Sequence, residues 1–80
     1  MQQIMTHTTQ KCIYLQSAEI FNNAQVSIRN LDGTKVMTQQ IINTNYLCID
    51  TKLPDGEYIV IVEENGQQWK RNIFLRNEIK

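Results

Sequence analysis

Few residues in this 80-residue chain carry side chains able to do reaction chemistry: His7, Cys12, Ser17, Ser27, Cys48 and the charged groups around its last two turns. His7 is the only histidine, and it stands in a polar N-terminal stretch between Thr6 and Thr8. A metal site or a catalytic triad needs partners held by rigid elements, so a lone histidine near a terminus reads as solvated. Ser17 and Ser27 have no base that the sequence places beside them, and neither sits in a G-x-S-x-G elbow. Cys12 or Cys48 would need a neighbour that lowers the thiol pKa to act as a nucleophile, and packing or a disulfide is the expected use instead. Both lie among apolar neighbours, "CIYL" and "YLCI". Buried free thiols are common in such surroundings, so the free and bridged states both stay open.

Acidic groups gather at two turns, Asp55 and Glu57 around Gly56 and Glu63 and Glu64 before Asn65. Calcium would need five or more converging oxygens, and no D-x-D-x-D run supplies them, so these read as solvated turn residues. Lys70, Arg71 and Arg76 alternate with Trp69 and Phe74 in the manner of a nucleic-acid strip. A formal net charge of zero makes a solvated strand face the better reading. Tyr14, Tyr46 and Trp69 have the ring types of a sugar-stacking platform, with core or cross-strand packing as the expected use. The expectation is therefore no catalytic, metal or cofactor-binding residue, no cofactor, and no enzymatic activity.

The elements that would position these residues are strands. The apolar period is two nearly everywhere, and the stretch 34–53, which lacks Gly and Pro, shows no helical stripe. Strands are predicted at about 11–16, 24–30, 34–42, 46–51, 57–64 and 67–76, with a further one near 3–8. In "QVSIRNLDGTKVMT" a three-residue loop is preferred, with Leu31 and Asp32 central and Gly33 left-handed as a bulge, which sets Val26 and Ile28 opposite Thr38 and Val36. In "IVIVEENGQQWKRNI" a two-residue Asn65-Gly66 turn pairs Val62 with Trp69, Val60 with Arg71 and Tyr58 with Ile73. "LPDG" closes the strand before Tyr58. The run from Tyr58 to Val62 is apolar on both faces, so the face carrying Ile59 and Ile61 must also be covered, by the N-terminal segment or by a partner.

Length and composition set the outer bounds. A chain of 80 residues makes one domain, 1–80, whose small core buries only about 60–65% of the unfolded surface. No apolar run approaches the roughly 20 residues that span a bilayer as a helix. Charges of the two signs are balanced and unclustered, which gives no pull toward nucleic acid or an anionic membrane. The start "MQQIMTHTTQKC" lacks the basic and apolar regions of a secretory leader. Residues 1–10 read equally as a frayed tail and as an edge strand, with "QQIMTHTT" able to pair in cis or to swap into a second copy.

The ordered set "IYLQSAEIFNNAQVSIRNLDGTKV", "LPDGEYIVIVEENG" and "WKRNIFL" resembles small secreted β-sandwich proteins of unknown function from Bacteroidales. More distantly, it is similar to the C-terminal sorting domains of the type IX secretion pathway. The resemblance covers residues 12–76 and makes Val26, Ile28, Gly33, Val36, Leu53, Gly56 and Tyr58 fold residues. It implies a two-sheet antiparallel sandwich of six to seven strands, immunoglobulin-like or fibronectin-like, exported after removal of a leader. The leading functional expectation is a non-catalytic envelope module that contacts a protein or a surface glycan, with homo-oligomers through edge strands as a further option. The alternatives are a sorting or anchoring domain of a larger exported protein and a small carbohydrate-binding module.

Overall fold

The computed structural model describes residues 4–9 and 12–76, and they form strands and the turns between them. The strands are β1 (Ile4–Thr9), β2 (Cys12–Arg29), β3 (Lys35–Asp50), β4 (Gly56–Glu64) and β5 (Gln67–Leu75). Every pairing is antiparallel, within a single five-stranded sheet. The expected all-β antiparallel class is therefore present, with five strands among the described residues where six to seven were predicted. The difference has one cause. The predicted strands 11–16 and 24–30 are two halves of β2, and 34–42 and 46–51 are two halves of β3. Gln2 and Gln3 of the N-terminal segment, and Lys11, lie outside the described residues.

β2 is the spine. β3 runs along one of its edges for almost the whole length, while β1 takes residues 12–17 and β4 takes residues 25–29 of the other edge, with β5 beyond β4. Midway, the β2–β3 pair bends. The register shifts between Gln16 and Phe21, so that Ser17 to Ile20 on β2 span a single residue, Asn45, on β3. Each side of the bend carries a hydroxyl turn: the Glu19 N–H donates to Ser17 Oγ at 3.2 Å and the Tyr46 N–H to Thr44 Oγ1 at 3.4 Å. Asn43 adopts φ +54°, a left-handed geometry that asparagine tolerates better than most residues. Buried positions change parity across this region, from Ile13, Leu15 and Ser17 to Ala24, Val26 and Ile28.

The bend folds the sheet over its own core, making two layers from one sheet. Ile4, Ile13, Leu15 and Ile49 from one half join Val26, Ile28, Val60, Val62, Ile73 and Leu75 from the other in one cluster, with Phe21 at the bend. At the far side β1 approaches β5, where Thr8 Oγ1 donates to the Phe74 carbonyl at 3.4 Å. Within the described residues, the N-terminal segment is thus a strand paired in cis. Ile4, opposite Ser17, is 1% exposed, and its burial stabilises by about 1.5–3 kcal/mol.

The two hairpins behave differently. The Asn65-Gly66 turn has both φ angles positive, +53° and +79°, and pairs Val62 with Trp69, Val60 with Arg71 and Tyr58 with Ile73, as predicted. The 30–34 loop also has the predicted shape: the Gly33 N–H donates to the Asn30 carbonyl at 2.9 Å, with Gly33 at φ +95°. Beyond it the predicted register fails by one residue. Val36 is bulged out between the Arg29–Lys35 and Ile28–Met37 pairs, so Val26 faces Gln39 and Ile28 faces Met37. The bulge leaves both Val36 and Met37 packed against the core, which the regular register would allow to only one of them.

Among the described residues, the N-terminal segment does not pair over β4, contrary to one of the two expectations. β1 occupies a different stretch of β2 from β4. Ile59 is flanked by Arg29 and Asn72, and Ile61 by Ser27 and Lys70, which leaves both half-buried. Apolar stems of long side chains can supply such partial cover.

Candidate functional site

The half-sheet formed by β1, residues 12–17 of β2 and their partners on β3 gathers several chemistry-bearing side chains on its outer face. Cross-strand pairing makes two rows across β1, β2 and β3, Met5–Gln16–Tyr46 and His7–Tyr14–Cys48, with Cys12 opposite Asp50 at the strand ends. The His7 and Tyr14 rings are 6.1 Å apart and tilted by 35°, and the Tyr14 and Tyr46 rings are 6.3 Å apart and tilted by 32°. Tyr14 faces Cys48 across the β2–β3 pair, and interaction with that thiol pushes its phenol above its ordinary value. The Cys12 thiol is pushed up first by desolvation and then by the nearby Asp50 carboxylate, whose Oδ1 lies 4.0 Å from its Sγ. That direction opposes nucleophile chemistry at Cys12, because the thiolate is the reactive form. His7 is exposed on a strand rather than in a loose tail, and among the described residues no group of three His, Cys, Asp or Glu side chains is arranged to hold a metal ion.

The serines are bend and sheet residues. Ser17 is buried at the bend and Ser27 lies between Ile61 and Thr38. Glu64 departs from its solvated reading. Its Oε2 accepts the Asn22 N–H at 2.9 Å and the Asn23 N–H at 3.2 Å, two consecutive donors that the irregular strand turns the same way. Nothing local signals this contact, since the partners are more than 40 positions apart in sequence. Glu57 accepts from Asn72 Nδ2 at 3.1 Å across the β4–β5 pair. These carboxylates brace strands.

The basic and aromatic residues of β5 do not share a surface. The Arg71 guanidinium lies 5.4 Å from the Trp69 ring on one face, and the Arg76 guanidinium 5.9 Å from the Phe74 ring on the other. Trp69 turns toward the core opposite Val62 and is half-buried, whereas Tyr14 and Tyr46 lie on the outer face of the other half-sheet. The three rings of the predicted sugar platform are therefore not brought together. Tyr58 has another use: its hydroxyl donates to the Pro54 carbonyl at 2.6 Å, tying the "LPDG" turn to the strand it introduces.

One backbone surface stays open. Among the described residues β3 pairs only with β2, so its second edge presents 16 residues without proline, with charge at its two ends, Lys35 and Asp50. Ile42 and Tyr46 are exposed along it, at 56% and 47%. Free edges of this kind accept an added strand.

A single folded-over antiparallel sheet with, among the described residues, one long open edge defines a small all-β module. The family is more specific. The model of the secretion system C-terminal sorting domain matches residues 7–76, and the chain belongs to that family. The match covers the bend, both hairpins and the open β3 edge, and it favours the sorting alternative over the stand-alone module. No curated protein sequence matches the chain.

Proposed function

We propose that this chain is a C-terminal sorting domain of the type IX pathway, a non-catalytic address that marks an exported protein for the secretion machinery. The observation that carries the reading is the family match across residues 7–76, nearly the whole chain. The fold supports it physically. A signal that acts by contact needs a stable scaffold and a recognisable surface, and the unpaired β3 edge with Ile42 and Tyr46 supplies one. Recognition by strand addition draws its affinity from main-chain hydrogen bonds, so it requires few distinctive side chains. The family match supports this reading better than a stand-alone envelope module, and the separation of Trp69 from Tyr14 and Tyr46 gives a glycan platform no support.

The test is fractionation of the protein expressed from its native gene with an internal tag. Recovery at the cell surface or in the medium, lost when the secretion machinery is deleted, is the expected result. A cytosolic protein unaffected by that deletion would contradict the reading.

A further inference from the structure

Cys12 and Cys48 lie on adjacent antiparallel strands and on the same face of the sheet. Cys12 faces Asp50 and Cys48 faces Tyr14, so the two cysteines are diagonal neighbours at the open end of the β2–β3 hairpin, opposite its 30–34 loop. Their alternate neighbours Ile13 and Ile49 point into the core, which turns both thiols outward. Cys48 is exposed and Cys12 half-buried. The Cys12 thiol meets Asp50, whose Oδ1 lies 4.0 Å from Cys12 Sγ, on the same face as Cys48. We propose that Cys12 and Cys48 are a redox-active pair that closes to an intramolecular disulfide on exchange with a disulfide oxidant, fastening the open end of the hairpin.

The chemistry balances as a two-step exchange. The Cys48 thiolate attacks one sulfur of the oxidant's disulfide, forming a mixed disulfide and expelling the oxidant's other sulfur as a thiolate. The Cys12 thiolate then attacks Cys48 Sγ and displaces the second oxidant thiolate. The pair loses two protons and two electrons, and the oxidant's disulfide becomes two thiols. Cys48 takes the first step because it is the exposed member of the pair, and Cys12 is the half-buried one. Diagonal neighbours stand farther apart than a disulfide spans, so closure requires a backbone shift at the strand ends, where Cys12 is the first residue of β2, and leaves a strained, readily reduced bond. A small exported domain gains from such a clamp, which also shortens the free chain of the unfolded state.

The inference stands apart from the sorting assignment, because its test needs only the purified chain and glutathione. The reduced full chain is equilibrated with oxidised glutathione, quenched in acid, treated with a maleimide and weighed intact. The expected product is a monomer lighter by two hydrogens that takes up no maleimide and whose thermal unfolding midpoint rises, while Cys12→Ser gives a glutathione adduct on Cys48. Wild-type chain that keeps two alkylatable thiols, or ends as glutathione adducts or disulfide-linked dimers, would overturn the proposal. So would closure in urea at the same oxidant concentration as in the native state, because the folded register would then contribute nothing.

Discussion

Replacing Glu64 with alanine removes the acceptor of two adjacent backbone N–H groups, Asn22 and Asn23, in the irregular part of β2. Hydrogen bonds to a charged acceptor are the stronger kind, and partial exposure of the site discounts them, so Glu64→Ala is expected to destabilise by about 1–2 kcal/mol in urea unfolding. Glu64→Gln keeps an acceptor and should lose less. Tyr58→Phe isolates a second contact, the hydroxyl donated to Pro54, and should lower stability by about 1 kcal/mol. Asp32 supplies a pH-dependent term. Its carboxylate accepts the Thr34 N–H at 2.9 Å, and the bonds to Thr34 hold its pKa below the ordinary 3.8. A depressed folded value means that the stabilisation is complete above the ordinary value and disappears as pH falls through the folded one. Unfolding curves of wild type and Asp32→Asn should therefore differ by a constant amount at neutral pH and converge below about pH 4. A difference that grows on acidification would refute this assignment.

At the scale of elements, what was legible in the sequence was local. The Asn65-Gly66 hairpin came out in full register because two residues of special φ determine every pair along both strands. The loop at Gly33 was equally readable, and Gly33→Ala should cost about 1 kcal/mol from the left-handed backbone alone, since open space surrounds the site. The Val36 bulge was hidden, because its cause is packing: two successive side chains both find the core. Likewise "SAEIFNN" and "NTN" read as connections between strands, yet they are strand backbone bent by Ser17, Thr44 and Asn43. Polar residues that bend a strand and polar residues that end one look alike in one dimension. The open β3 edge follows from that continuity, and it can be tested by placing a charge on it. Ile42→Lys should leave stability within about 0.5 kcal/mol because the side chain is already exposed, while weakening any strand addition at that edge. Unchanged export of a cargo bearing Ile42→Lys would move recognition to another surface.

At the scale of the whole molecule, the chemistry-bearing residues are distributed along the strands rather than gathered at one centre. His7, Ser17, Ser27, the two cysteines and the acidic turn residues are spread over both halves of the sheet, and those that meet do so in pairs that hold strands together. An address that works by contact needs the fold, an edge and attachment to cargo. The direct measurement is a reporter enzyme carrying a secretory leader at its N-terminus and this chain at its C-terminus, expressed in a bacterium with the type IX machinery and in a strain lacking it. The fused reporter is expected on the surface or in the medium of the first strain and in the periplasm of the second, with a reporter lacking the chain retained in both. Retention of the fused reporter in the periplasm of the competent strain, or equal release with and without the chain, would contradict the assignment.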